Sequence, residues 1–180
     1  TCYVHAMVEL TGSNWKYSEC PTTSASVEVD GRVDAVWELV SDISTPTRWS
    51  TEVQLTSWLG EATEPSVGAR FAGHNQHAAI GEWDVVCTVT RFEPGRCFEW
   101  VVGKPEHPAA VWRFVLDGSD GSVVLRQEMQ MGPARSGLNP AIDAMPDKES
   151  KIIARRLDEH RANMQANLDG VKSLVERASS

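Results

Sequence analysis

The sequence predicts an α+β fold in which a curved antiparallel sheet of about seven strands wraps a long C-terminal helix, with two short helices after the first strand. Strand-like segments separated by Gly and Pro clusters fill the middle of the chain, too closely spaced for crossover helices. An unbroken helical apolar period occupies the C-terminal stretch. The other helical signals are short and fall between the first strand and the remaining six.

The elements follow in order. Ser26-Val-Glu-Val-Asp30 alternates as a strand, and Gly31 with Asp34 opens a helix on which Val36, Leu39, Val40 and Ile43 recur at helical spacing. Asp42-Ile-Ser-Thr-Pro46 breaks that helix, leaving Pro46 to Trp49 for a second short turn. The strands then expected are Val53 to Leu59, Ala69 to His77, Glu82 to Phe92, Arg96 to Val102, Ala110 to Leu116 and Val123 to Met131. Turn chemistry punctuates them at Glu64-Pro-Ser-Val-Gly68, Gly81, Glu93-Pro-Gly95, Gly103-Lys-Pro105 and Asp117-Gly-Ser-Asp-Gly121.

Alternation assigns the faces. Val123, Leu125, Gln127, Met129 and Met131 share a buried face, opposite Val124, Arg126, Glu128 and Gln130. Trp112, Phe114 and Leu116 alternate with Arg113 and Asp117, and Phe98, Trp100 and Val102 with Glu99. Trp83, Val85, Cys87 and Val89 oppose Asp84, Val86, Thr88, Thr90 and Phe92, with a bulge expected where the hairpin passes Pro94-Gly95. By the same alternation Asp84, Arg113 and Glu128 face solvent.

Gly132 to Pro146 is a connector whose Leu138, Ile142 and Met145 are too apolar for a solvated loop, so it packs over something. Asp147 caps a helix to Arg177, with Ile153, Leu157, His160, Met164, Leu168, Val171 and Val175 in one stripe. The opposite face, with Arg155, Arg156, Asp158, Glu159, Arg161, Asn163 and Lys172, is expected to be solvated. The folded domain spans residues 24–177, and residues 1–23 form an extension without clear periodicity.

At 180 residues the chain can bury one core. A net charge of -8 and a pI near 5.1, with no basic stripe, argue against a nucleic-acid partner. No apolar run approaches the roughly 18 residues of a membrane span. The first ten residues (Thr1 to Leu10) have neither the basic start nor the apolar stretch of a secretion signal, so a cytoplasmic protein is expected. Cys2, Cys20, Cys87 and Cys97 show no metal spacing; Cys87 and Cys97 are read as reduced strand residues, and a disulfide between Cys2 and Cys20 is left open. Seven tryptophans, spread one to nearly every element, can fill a core or line a hollow.

No nucleophile elbow, HExxH, phosphate loop or dinucleotide fingerprint is present, and no cofactor is expected. His74 and His77 lie three apart on a strand and point to opposite faces, so no metal site is expected. His74, Asn75, His77, Gln127 and His160 are the candidate polar residues on otherwise buried faces, where a polar group needs a partner.

Val27-Glu-Val-Asp-Gly-Arg-Val-Asp-Ala-Val-Trp-Glu-Leu-Val-Ser-Asp42, then Thr47-Arg-Trp49, resemble the first strand and helices of the START/polyketide-cyclase (SRPBCC, helix-grip) superfamily. Gly68-Ala-Arg-Phe-Ala-Gly-His-Asn75, Thr88-Val-Thr-Arg-Phe-Glu-Pro-Gly95, Trp112-Arg-Phe114 and Gly137-Leu-Asn-Pro-Ala-Ile-Asp-Ala-Met-Pro-Asp147 extend the likeness to actinobacterial-type members without an assigned activity. The resemblance implies a cavity between the concave sheet face and the C-terminal helix, reached near the short helices, and a small hydrophobic ligand such as a lipid or polyketide. Carried onto this chain, its lining would be Trp49, Trp58, Phe71, Asn75, Trp83, Trp100, Trp112, Phe114, Gln127, Met129, Leu157, His160 and Met164, with Leu138, Ile142 and Met145 as a gate loop. The leading expectation is a non-catalytic binder or carrier. The alternatives are a polyketide cyclase, aromatase or dehydratase using the same cavity, and a filled-core interaction domain, for example half of a homodimer joined at a sheet edge.

Overall fold

A computed structural model describes residues 14–119 and 121–178. Cys2 and residues 1–13, including the first ten read above for a signal, lie outside the described residues. Seven antiparallel strands form one sheet in the order β1-β7-β6-β5-β4-β3-β2. They are β1 (Thr22–Val29), β2 (Val53–Leu59), β3 (Arg70–His77), β4 (Gly81–Glu93), β5 (Cys97–Lys104), β6 (His107–Ser119) and β7 (Ser122–Met131). Helix α1 (Val33–Ser41) and a 3-10 turn (Thr45–Arg48) follow β1, α2 (Asn139–Ala144) lies in the β7 connector, and α3 (Glu149–Ala178) closes the fold. This is the curved-sheet and long-helix α+β architecture expected from the sequence.

The meander arises because short turns leave each strand only its predecessor to pair with. The ends of the sheet are set differently: β1 pairs β7 from Thr22 opposite Gln130 to Val29 opposite Val123, across most of the chain length. β1 thus begins ahead of Ser24. The preceding residues are tied to the body as well. The Tyr17 hydroxyl donates to the Ala134 carbonyl (2.9 Å), its backbone N–H to Glu149 Oε1 (2.9 Å), and the Trp15 N–H to Ser150 Oγ (3.0 Å).

The faces of β7 follow the alternation, with Val123, Leu125, Gln127, Met129 and Met131 all buried. Three departures have physical causes. The bulge in β4 falls between Val89 and Arg91, ahead of the hairpin, and turns Phe92 to the inner face, where its ring centroid lies 5.3 Å from Trp37 and 5.9 Å from Phe98. Glu128 and Arg113 occupy the outer face but are not solvated: Arg113 bridges Glu128 and Glu99 (3.4 Å), and Arg126 binds the other Glu128 oxygen at 2.6 Å. Asp147 does not cap α3 directly, since Pro146–Lys148 form a 3-10 turn before it.

Helix α3 buries Ile153, Leu157, His160, Met164, Leu168, Val171 and Val175 along the expected stripe. Arg156, placed on the solvated face by the sequence reading, is buried, because Glu52 reaches it from the segment just before β2. Gly170 of α3 faces the Trp49 indole, and a methyl group there would overlap the ring. Gly170→Ala therefore tests this seat. Relieving a helical glycine ordinarily stabilises by about 0.5–1 kcal/mol. Here overpacking should lower stability by about 1–3 kcal/mol in urea unfolding. A gain would show that Trp49 sits elsewhere.

Candidate functional site

Between α3 and the concave face lies a hollow of about 540 Å³. It persists because the strands curve while α3 lies across them chiefly at β1 and β7, leaving the inward side chains of β3 to β6 unmatched by the helix. Those side chains are large. Ring centroids run from Phe71 to Trp100 (6.2 Å), Trp100 to Phe98 (5.2 Å) and Trp100 to Phe114 (5.9 Å), so each ring holds the next and the wall is pre-formed. Met129, Met131 and Met164 complete the apolar surface.

Of the residues anticipated as lining, Phe71, Asn75, Trp83, Trp100, Trp112, Phe114, Gln127, Met129, His160 and Met164 border the hollow. Trp49, Trp58 and Leu157 do not. Trp49 is seated on Gly170, Trp58 stands edge-on to Phe71 with centroids 5.7 Å apart, and Leu157 is packed in the core. In the connector only Leu138 reaches the hollow, with Ser136 and Gly137. Ile142 is buried in the core on α2, and Met145 points outward, so the three do not act as one gate. Ile80, 44% exposed, borders both hollow and surface, which places an opening at the β3–β4 turn.

Polar groups punctuate this lining. His160 stands edge-on to Trp112 with centroids 5.1 Å apart. Burial pushes its pKa well below the usual histidine value, and the nearby Arg156 guanidinium and His77 push the same way, so the ring is neutral at pH 7. Asn75 Nδ2 donates to the Gly73 carbonyl (3.3 Å). Gln127 meets Asn167 of α3, whose Nδ2 donates to Gln127 Oε1 at 3.4 Å. Asn167 and Asn163 were not anticipated. Asn167 lies seven positions beyond His160 on the same helical face, a spacing that could have flagged it.

Beside the opening, Arg156 gives both guanidinium nitrogens to Glu52, at 2.6 and 2.7 Å, and lies 3.2 Å from Glu159. His77 Nε2 is 3.4 Å from Glu159. Burial raises the Glu159 pKa, but hydrogen bonds from Arg155 and Arg156 outweigh it and hold the carboxyl below its ordinary value. Glu52, His77 and Glu159 offer donor atoms within 4.8 Å of one another. Arg156 and Arg155 already pair with these carboxylates, so a divalent ion would have to compete with both guanidinium groups. Cys87 and Cys97 are free and buried, and burial pushes the Cys87 thiol up to about 12, which makes it an inert core residue.

His160 has a signature in pH. Its folded pKa lies below the unfolded value of about 6.5, so the unfolded chain takes up the proton first and stability falls as pH drops below about 6.5. Thermal unfolding from pH 7.5 to 5.5 should show this loss, and His160→Gln should flatten it. Equal slopes would mean that the buried ring carries a proton.

A helix laid across a seven-stranded meander over an apolar hollow is also what comparison with known families returns. A family model described as polyketide cyclase / dehydrase and lipid transport matches residues 21–176. The chain belongs to this family. Among solved structures, the polyketide-cyclase-like protein Cgl2372 from Corynebacterium glutamicum is 26% identical over 86% of this chain and 91% of its own, with a TM-score of 0.60. The Zhui aromatase/cyclase from Streptomyces sp. R1128 is 17% identical (88% of this chain, 95% of its own, TM-score 0.58). A START superfamily protein from Mycobacterium smegmatis is 15% identical (85% and 98%, TM-score 0.56). At the two lower identities the likeness is one of fold. No curated protein matches the chain significantly. Within the polyketide cyclase / dehydrase and lipid transport family, then, this member supplies an apolar hollow with a neutral imidazole and four side-chain amides, those of Asn75, Gln127, Asn163 and Asn167. Among the described residues, no helix is long and apolar enough to cross a membrane.

Proposed function

We propose that the chain binds and carries a small hydrophobic molecule in the hollow beneath α3. The observation that carries this reading is that the space stays open although tryptophan, phenylalanine and methionine line it. A filled interior would have gained packing contacts, and leaving it open costs stability. An engineered cavity of about 150 Å³ takes up benzene, so about 540 Å³ suits a molecule on the order of 20 non-hydrogen atoms. The pre-formed ring wall spares the ligand any ordering cost in the protein. Purified protein incubated with a cell lipid extract should retain a small molecule in native mass spectrometry. Retention of none counts against the carrier reading.

A second reading, a cyclase or dehydratase acting in the same space, draws support from His160. A neutral, buried imidazole can accept a proton from a substrate carbon or hydroxyl, as general-base catalysis requires. On this reading His160→Ala would abolish turnover of a poly-β-ketone mimic while leaving its binding within a few fold. Unchanged turnover would remove His160 from the chemistry.

A further inference from the structure

We propose that the inner end of the hollow reads a hydroxyl group through the paired amides of Gln127 and Asn167, which makes the ligand an apolar alcohol or phenol. This rests on the hollow being a ligand site and names the chemistry by which that site would select.

Asn167 is 4% exposed and Gln127 3% exposed, yet both border the hollow. They share one long hydrogen bond, from Asn167 Nδ2 to Gln127 Oε1 at 3.4 Å, and Asn167 Oδ1 is buried without a partner. A buried acceptor left unpaired is uncommon and marks a place where something else supplies a donor. Around the pair the surface is apolar: Phe114 is the ladder neighbour of Gln127, and Met164 stands one turn before Asn167 on α3.

The identity of the missing group follows from a count of donors and acceptors. As the amides stand, their bond leaves the Asn167 oxygen as an acceptor, with one N–H donor left on Asn167 and two on Gln127. Were both amides turned over, Gln127 would donate to Asn167, and the spare acceptor would be the Gln127 oxygen, again beside unpaired N–H donors. Either way an unpaired acceptor and an unpaired donor sit side by side. A hydroxyl complements both, since it gives one hydrogen bond and accepts another. A ketone can only accept and leaves the acceptor orphaned.

A carboxylate fares worse, because it also brings a charge that needs a cation. Arg156 is the cation bordering the hollow among the described residues; it lies eleven positions back along α3, roughly 16 Å at 1.5 Å per residue, and is committed to Glu52. His160 is neutral and two helical turns away, roughly 10 Å along the axis. The inner end thus suits an uncharged molecule that enters hydroxyl first, its apolar body against Trp100 and Trp112.

The test compares 2-naphthol, 2-methoxynaphthalene and naphthalene, titrated into the wild-type protein and into Asn167→Leu by tryptophan fluorescence. 2-Naphthol should bind about 10-fold more tightly than either analogue, and Asn167→Leu should bring the three within about 2-fold of one another. Should that variant fail to fold, Gln127→Met serves the same comparison. A crystal structure of the wild-type 2-naphthol complex should place the ligand oxygen within hydrogen-bond distance of both amides. Equal affinities in the wild type, a preference that survives both variants, or an ordered water only between the amides would overturn the hydroxyl reading and leave the carrier reading standing. Failure of all three probes to bind would overturn both.

Discussion

Ala110→Trp should abolish uptake of the uncharged fluorophore N-phenyl-1-naphthylamine while leaving the protein folded. Ala110 lies on β6 opposite Met131 of β7 and Val102 of β5, on the same face as Trp112 and Phe114, and it borders the hollow. An indole at that position enters the space a ligand would occupy. Affinity should fall by at least about 100-fold, equivalent to about 2.7 kcal/mol. Stability should hold or rise, since the new ring moves into unfilled apolar space and its burial contributes on the order of 1–3 kcal/mol where it fits. Val124→Trp supplies the control, because Val124 is 42% exposed on the outer face and its replacement should leave fluorophore binding untouched. Undiminished binding by Ala110→Trp would place the fluorophore somewhere other than the hollow.

Arg156→Ala should be the most destabilising of the polar substitutions, by about 3–5 kcal/mol in urea unfolding. The side chains of Arg156 and Glu52 are 11% and 8% exposed, and the guanidinium meets the carboxylate through two hydrogen bonds. Removing the cation strands a carboxylate in a site with little water, and that uncompensated charge accounts for most of the effect. Replacing both partners with apolar residues of similar size, Glu52→Leu with Arg156→Met, should return stability to within about 1–2 kcal/mol of the wild type. If the double variant were as unstable as the single one, lost packing of the long side chain would be the cause. The pair bridges α3 to the segment before β2, beside the opening, so its loss should also loosen the entrance.

The parts of this architecture that could be read from sequence are those fixed by local periodicity. β7 was legible because Val123, Leu125, Gln127, Met129 and Met131 alternate strictly with polar residues, and α3 because its stripe never breaks. Strand ends were not. β6 runs from His107 to Ser119 although Asp117-Gly118 reads as turn chemistry; the ladder to β7 continues to Ser119 opposite Ser122. Helix α2 is six residues with Pro140 in its first turn, too short to show a period.

Where the reading of individual site residues fell short, the missing information was three-dimensional. The seat of Trp49 on Gly170 depends on two segments far apart in the chain. Arg156 looked solvated because helical spacing placed it opposite the stripe, and only the arrival of Glu52 from another element buries it. Asn167 was passed over because an asparagine beside an apolar stripe is ordinarily surface; its significance lies in the glutamine that faces it from β7.

A crystal structure of the protein with N-phenyl-1-naphthylamine tests most directly whether the space beneath α3 is a ligand site. Density for the fluorophore is expected among Trp100, Trp112, Phe114 and Met164. Density confined to the outer sheet face, or rings and thioethers collapsed into that space, would contradict it.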